Sequence, residues 1–245
     1  MVQPVHFKAI VEQIERHDDT VVSYHLKADK RLPRFIPGQF IHLAIDDYDP
    51  ASFWPESRVF SVANAVADRY TMVLTISRQG HYTGRILDQV HLGSVLWGKG
   101  PYGEFSIDGT HGKRAILIAG GTGITPFCAF MDAAIAQGKL PLEEAVLYYG
   151  ARTPDLLIYR PLADRCAAKV PGFRVSYHAE KTGPGNDAVI STGTLDVATI
   201  MAEICDTGDT VFYLSGPKAM ITSFQSRLVE EFGIPRLQVQ IDAWE

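Results

Sequence analysis

Cysteine is scarce in this chain, and its few cysteines are far apart. Cys128, Cys166 and Cys205 are the only three, and each lies in a stretch with a helical pattern. Such spacing disfavours a disulfide framework, a metal site and the closely spaced thiolates that bind an iron–sulfur cluster. We therefore expect no metal in this chain, and we expect any such cluster to lie on a partner protein.

Runs of positive charge and long apolar segments are missing as well. The 23 Lys and Arg are outnumbered by 28 Asp and Glu, which gives a formal net charge of -5 at pH 7. Nucleic-acid affinity comes largely from clustered cations, so a nucleic-acid partner is disfavoured. No segment approaches the roughly 20 apolar residues that cross a bilayer, and the first residues lack a basic segment followed by an apolar one. These absences predict a cytoplasmic protein without a membrane span.

The first half contains a series of short β patterns separated by Gly, Pro and Asp. With only one short helical pattern among them, Thr83–Val90, they predict an antiparallel barrel. The β patterns cover His6–Ile14, Thr20–Ala28, Gln39–Ile45, Arg58–Ala63, Arg69–Ser77 and Ser94–Lys99.

Beyond Lys113 the pattern changes, and apolar β runs alternate with longer helical patterns. This alternation predicts a doubly wound parallel sheet with helices on both faces. A chain of 245 residues is long enough for two compact cores. Because the glycines of the segment Gly109–Gly112 lie between the two patterns, we predict a barrel domain at 1–110 and a parallel-sheet domain at 111–245.

The strongest local motif is ILIAGGTGITP, from Ile116 to Pro126. An apolar strand runs into a glycine turn and then a helix, so the backbone can approach a diphosphate closely and the helix start favours an anion. The motif predicts a pyrophosphate-binding turn. It departs from the usual dinucleotide fingerprint because Pro126 stands in place of the third glycine, and a glycine turn without a ligand is the alternative.

Together with four further segments, this turn resembles the ferredoxin–NADP reductase superfamily. The segments are RVFS at 58–61, GHYTG at 80–84, YGAR at 149–152 and LSGPKAM at 214–220. They follow the family's order and spacing, so the resemblance covers essentially the whole chain. It implies an FAD-binding barrel followed by a doubly wound NAD(P)-binding domain, and hence an NAD(P)H-dependent flavoprotein reductase.

The segment RVFS looks like the family's R-x-Y-S flavin motif. By that resemblance Arg58 would pair with the FAD pyrophosphate, and Phe60, next to Val59, would pack along the flavin ring. Ser61 would place its hydroxyl near flavin N5, which makes it a candidate catalytic residue. Phe60 replaces the family's tyrosine, so any hydrogen bond from a phenol to the ribityl chain is lost. Taken alone, RVFS is more typical of an ordinary buried strand, which is the alternative.

The segment GHYTG resembles the family's turn that binds the FAD phosphate at a helix start. Gly80 and Tyr82 belong to this turn, and Thr83 is its candidate ligand through a hydroxyl. The alternative is a simple N-cap by Thr83.

In the second half, the resemblance places a set of residues beside the nicotinamide dinucleotide. For Arg152 a surface ion pair is the alternative, and for the Gly216 turn a plain loop. The set is Gly121, Thr122, Gly123, Thr125, Pro126, Gly150, Arg152, Gly216, Pro217 and Met220.

Two candidate catalytic residues also come from the resemblance. Ser215 replaces the usual cysteine of the family's C-G-P-x-x-M turn near the hydride path, which is expected to tune the rate rather than abolish it. Trp244, near the chain end, would cover the flavin face as an aromatic does in several family members. A tryptophan that merely packs on the domain surface is the alternative.

The coenzyme is expected to be NADH rather than NADPH. In NADP-preferring relatives a serine and an arginine bind the ribose phosphate, whereas this chain has Ala179 and Glu180. A carboxylate accepts hydrogen bonds from a ribose hydroxyl and repels a phosphate. Lys181 or Arg152 could reverse the preference if either reaches the site.

The electrons are expected to pass from FAD to a separate acceptor, such as a ferredoxin, a flavodoxin or an oxygenase component. Two other functions stay open. One is an NAD(P)H:flavin reductase that releases reduced flavin, and the other is a subunit that binds FAD and NAD in a larger complex without turnover.

Overall fold

The computed structural model describes residues 3–182, 187–204 and 206–242. Their contacts divide the chain into two compact units. One comprises the residues up to Ser106 together with Thr125–Phe130, and the other comprises Ile107–Ile124 and the residues from Met131 onward.

The first unit is a nearly closed antiparallel sheet of six strands in the order β4-β3-β6-β1-β2-β5. Every pairing between neighbours is antiparallel, and the only α-helix between its strands, α1 (His81–Gln89), lies between β5 and β6 in the chain. The predicted barrel is therefore confirmed. The strands are β1 (Val5–Arg16), β2 (Val21–Ala28), β3 (Phe40–Ala44), β4 (Arg58–Ser61), β5 (Thr71–Ser77) and β6 (Val95–Tyr102).

Alternating side chains explain how these strands form a barrel. In β1, Phe7, Ala9 and Val11 are buried while Lys8 and Ile10 between them are exposed. This period of two directs one face of each strand into a shared core. Helix α1 contributes three of its apolar or aromatic side chains to the same core, namely Tyr82, Ile86 and Leu87.

The second unit is a parallel sheet of six strands in the order β10-β9-β8-β7-β11-β12, with all neighbours parallel. The strands are β7 (Arg114–Gly120), β8 (Glu144–Ala151), β9 (Phe173–Ala179), β10 (Ile190–Thr192), β11 (Thr210–Ser215) and β12 (Val239–Asp242). The helices in this part of the chain are α2 (Thr125–Gln137), of which Thr125–Phe130 belong to the first unit, α3 (Arg160–Lys169), α4 (Val197–Ala202) and α5 (Lys218–Ser226), the last extended by a π turn at Arg227–Glu231.

Two adjacent tyrosines of β8 reach opposite faces of this sheet. The Tyr148 hydroxyl donates to Glu203 at the end of α4, while the Tyr149 hydroxyl donates to the Leu156 carbonyl oxygen ahead of α3. Central strands covered on both faces need apolar residues throughout, and all six residues of β11 are buried. The predicted doubly wound sheet is confirmed.

The described cysteines are structural in character. Cys128 in α2 and Cys166 in α3 are buried and not joined in a disulfide, and burial raises the pKa of the Cys166 thiol to about 12. Cys205 lies outside the described residues. Within the described ranges, no group of three or more His, Cys, Asp or Glu could hold a metal ion. No helix within these ranges is both long and apolar enough to cross a bilayer.

Candidate cofactor-binding sites

The start of β4 and the start of α1 meet in the barrel unit. Arg58 lies over the ring of Tyr82, with its guanidinium carbon 4.9 Å from the ring centroid. Arg58 Nη2 pairs with Glu56 at 3.0 Å, and Nη1 donates to the Ser57 carbonyl oxygen at 2.8 Å. Two segments that the sequence analysis assigned to one phosphate site are thus in contact.

Tyr82 fixes this region through its hydroxyl. The hydroxyl donates to the Glu56 carbonyl oxygen at 2.7 Å and accepts the Ile45 N–H at 3.2 Å. Burial raises the pKa of Tyr82, so the phenol remains a neutral donor. Tyr82 therefore ties the loop between β3 and β4 to the first turn of α1.

Thr83 lies in the first turn of α1 rather than at its N-cap, which is Gly80, so the alternative of an N-cap at Thr83 is wrong. Its Oγ1 accepts the N–H groups of Gln79 at 2.8 Å and Gly80 at 3.1 Å, which is a capping role. The first N–H groups of any helix still lack partners within the helix, and they favour an anion. A side chain at Gly80 would meet nothing within 4 Å, so the turn has room for a ligand.

The remaining residues of β4 alternate in direction. Phe60 lies opposite Ile41 and packs, half-buried, against the barrel core. Val59 lies opposite His42, and Ser61, which is buried, lies opposite Phe40. Phe60 thus has the core contacts of an ordinary strand residue as well as a partly exposed ring.

In the sheet unit, three predicted segments lie at one edge. Gly120 is in register with Gly150, and Ala119 is in register with Ser215. These positions are the carboxyl ends of β7, β8 and β11, where open parallel sheets bind their ligands. The glycine turn, the YGAR segment and the SGP turn are therefore neighbours.

The glycine turn itself forms a short 3₁₀ helix, Gly121–Ile124, ahead of α2. Gly121 has φ +55° and open space where a Cβ would stand, so its backbone is accessible to a ligand. A Cβ on Gly123 would lie 2.5 Å from the Gly216 backbone. The two turns can approach this closely only because residue 123 is a glycine, while a Cβ on Gly216 would lie 3.0 Å from the Gly120 backbone N. Thr122 is half-buried in the same turn, and α2 then begins with the buried Thr125 and with Pro126 in its first turn.

Other motif residues make close packing contacts. A Cβ on Gly150 would lie 2.9 Å from Cδ1 and Cγ of Leu195, so a leucine side chain covers this glycine. A Cβ on Gly120 would lie 2.8 Å from Met220 Sδ and 2.9 Å from Pro217 Cδ. Pro217 and Met220 therefore pack beneath the turn.

Ser215 has a partner that the sequence analysis missed. Its Oγ donates to Asp242 Oδ2 at 2.9 Å, and both residues are buried. The two are in register between β11 and β12. A carboxylate directly after Ile241, at the end of the final strand, was the signal that could have singled out Asp242. Trp244, two residues further on, lies outside the described residues.

Three charged residues form a group beyond β8 and β9. Arg152, Glu180 and Lys181 are all exposed. The N–H of Glu180 donates to the Ala151 carbonyl oxygen, and that of Lys181 donates to the Arg152 carbonyl oxygen, each at 3.0 Å. These bonds bring the two cations and the carboxylate to neighbouring backbone positions.

Comparisons with known proteins agree with this arrangement. Residues 117–226 match the family model described as oxidoreductase NAD-binding domain. A flavohemoprotein from Burkholderia sp. (strain TH2) is 28% identical over 233 residues, which are 94% of this chain and 56% of that protein. The ferredoxin–NAD(+) reductase component of the alkene monooxygenase system from Xanthobacter autotrophicus is 29% identical over 211 residues, which are 85% of this chain and 61% of that protein.

A solved structure shares the whole fold. It is the flavohem-like FAD/NAD-binding domain of nitric oxide dioxygenase from Vibrio cholerae O1 biovar El Tor, with a TM-score of 0.78 and 18% identity, covering 96% of this chain and 97% of that one. By contrast, the chain spans only about half the length of the curated relatives it matches.

The sequence predicts an oxidoreductase, and relatives of this chain are named as reductases. It also predicts FAD and a nicotinamide dinucleotide as cofactors, and both belong to proteins of this kind. With a six-stranded antiparallel barrel and a parallel sheet within which residues 117–226 match the oxidoreductase NAD-binding family model, the chain has the fold of ferredoxin reductase-like FAD/NAD-binding proteins, in agreement with its resemblance to the ferredoxin–NADP reductase superfamily.

Proposed function

We propose that the protein takes a hydride from NADH onto bound FAD and passes the electrons to a separate acceptor protein. One observation carries the proposal. The three motif segments at the carboxyl edge of the parallel sheet are neighbours, within a region that matches an NAD-binding family model. The contact between Arg58 and the first turn of α1 supports an FAD diphosphate site on the barrel.

On the barrel, Arg58 and the first-turn N–H groups at Tyr82 and Thr83, which follow the open N-cap Gly80, would hold the FAD diphosphate. Val59 and Phe60 would lie along the flavin, and Ser61 would place its hydroxyl near flavin N5. When bound, FAD supplies the hydride-accepting chemistry, and the protein supplies position and electrostatics.

On the parallel sheet, the open backbone at Gly121 supports a diphosphate of the coenzyme there, with Thr122, Thr125 and Pro126 completing the turn. Gly123 and Gly216 would shape the site through their close approach. Ser215, held by Asp242, would line the nicotinamide end, and Trp244 would cover the flavin. Gly150, Pro217 and Met220 would support these residues by packing.

Coenzyme choice would depend on the exposed group after β8 and β9. The Glu180 carboxylate favours a ribose hydroxyl over a ribose phosphate, so we propose NADH. Arg152 and Lys181 lie at neighbouring backbone positions and would moderate this preference rather than reverse it.

The acceptor is proposed from the relatives' names. One relative is the reductase component of an alkene monooxygenase system, which supports a ferredoxin or an oxygenase component as the electron acceptor, with a flavodoxin as a further candidate. Because NADH is produced and consumed inside cells, we propose that the protein acts in the cytoplasm.

The proposal is tested by steady-state reduction of an artificial dye. Protein purified with its flavin should reduce the dye with NADH at a kcat/KM at least tenfold higher than with NADPH. No dye reduction with either coenzyme would favour the non-catalytic subunit. Equal activity with both would contradict the assignment of Glu180.

A flavin reductase that releases its product is the second candidate. The ion pair between Glu56 and Arg58 favours this second function. An arginine whose charge is already paired with a carboxylate binds the FAD diphosphate less tightly. Gel filtration separates the two functions: a tightly bound FAD travels with the protein, whereas an exchangeable flavin elutes later.

A further inference from the structure

Glu56 is held by two arginines at the place where we propose that the FAD diphosphate binds. Its Oε1 lies 3.0 Å from Arg58 Nη2, and its Oε2 lies 3.9 Å from Arg85 Nη1. Both guanidinium groups lie near the ring of Tyr82, with their carbon atoms 4.9 and 5.8 Å from its centroid. Because Tyr82 is the second residue of α1, the three charges lie at the start of a nine-residue helix.

The two arginines and the helix start form a site that favours an anion, and the anion beside them is the carboxylate of Glu56. Two guanidinium groups and a helix start all favour negative charge. The Glu56 carboxylate is a negative group that contacts both arginines.

We infer that Glu56 competes with the FAD diphosphate, and that Arg85 binds the diphosphate alongside Arg58 once Glu56 is displaced. The inference rests on the proposed function, since it assumes FAD at this end of the barrel. The best geometry between a guanidinium and a phosphate uses two parallel N–H bonds. In Arg58 one Nη is engaged by Glu56 and the other by the Ser57 carbonyl oxygen.

Displacement of Glu56 is sterically simple. The side chains of Glu56 and Arg58 are 48% and 50% exposed, so the carboxylate can turn into solvent. If it stayed, it would repel the two negative charges of the diphosphate. Arg85 is less exposed, and Asp46 holds it by two bonds of 2.6 and 3.2 Å. Asp46 thereby keeps Arg85 beside Tyr82 whether or not Glu56 is there.

The test is the affinity of the full chain for three probes: FAD, ADP and riboflavin. FAD and ADP carry the diphosphate and riboflavin does not. In Glu56→Gln, FAD and ADP should bind about three- to tenfold more tightly than to the wild type, because a weak surface ion pair and a like charge are both removed. Riboflavin affinity should stay the same. Glu12→Gln is the matched control, because Glu12 is 49% exposed and pairs with Lys27 at 3.5 Å.

A second variant tests the role of Arg85. Arg85→Gln should weaken FAD and ADP at least fivefold and leave riboflavin unchanged, with an unaltered circular dichroism spectrum.

The inference is overturned if Glu56→Gln binds FAD no more tightly than the wild type, if riboflavin gains equally, or if Glu12→Gln has the same effect. If FAD affinity is unchanged in Arg85→Gln, Arg85 does not bind the FAD diphosphate. If neither the wild type nor any variant binds FAD, the proposed function fails as well.

Discussion

The Ser215 hydroxyl makes a buried hydrogen bond that a cysteine thiol would make only weakly. It donates to Asp242 at 2.9 Å, and both side chains are removed from solvent. A buried carboxylate that loses a donor retains its desolvation cost without the compensating bond. This turn has a serine where the family has a cysteine, and the serine therefore gives the aspartate of the neighbouring strand a stronger hydrogen-bond donor.

We predict that Ser215→Ala lowers the free energy of unfolding by about 1–3 kcal/mol. Ser215→Cys should recover part of the loss, because a thiol is a weak donor. Urea denaturation measures both changes, with the exposed Ser191→Ala as the control that should change stability by less than about 0.5 kcal/mol. If Ser215→Ala is as stable as the wild type, the bond to Asp242 has no energetic role.

Among the elements, long periodic segments were predictable and short ones were not. The strands of the barrel and the central strands β7, β8 and β11 follow from patterns of burial that extend over four to twelve residues. Strand β10 has only three residues, too few to establish a period.

The location of the candidate site could be predicted, but its contacts could not. Strand ends of a parallel sheet share an edge, so the positions of Gly121, Gly150 and Gly216 follow from the topology. Which side chain covers each glycine depends on residues distant in sequence, such as Leu195 over Gly150. The sequence analysis placed Gly150 beside the dinucleotide, and that placement stays a prediction.

We predict that Gly150→Ala destabilises the protein by about 1–2 kcal/mol, because the new methyl group pushes against Leu195. The double variant with Leu195→Ala should lose less stability than the sum of the two single losses, by at least about 0.5 kcal/mol. A double-mutant cycle from urea denaturation gives this value. Strictly additive costs, combined with weaker NADH binding in Gly150→Ala, would instead favour direct contact with the dinucleotide.

For the molecule as a whole, partly buried histidines make stability depend on pH. Burial is the main cause of a lowered pKa in His6, His17, His42 and His178, and nearby Lys99 adds to the effect in His6 and His42. These groups stay neutral in the folded protein at a pH where the unfolded chain binds protons. The unfolded state then holds more protons, so stability rises with pH in this range.

We therefore predict that the free energy of unfolding decreases as the pH falls below about 6.5, the ordinary pKa of histidine. A second decrease should follow below about pH 4, where carboxylates with lowered pKa, such as Asp196 and Asp206, take up protons. Urea denaturation of the flavin-free protein between about pH 8 and pH 3 measures both. Stability that is constant or increases from pH 7 to pH 5 would contradict the first part.

The account as a whole depends on one polypeptide that binds both FAD and a nicotinamide coenzyme and moves a hydride between them. An anaerobic titration of the FAD-loaded protein with NADH tests this most directly. One equivalent of NADH should bleach the oxidised flavin absorption near 450 nm, and NADPH should do so much more slowly. A protein that keeps its oxidised flavin spectrum in excess NADH, or that binds no FAD at all, would contradict the account.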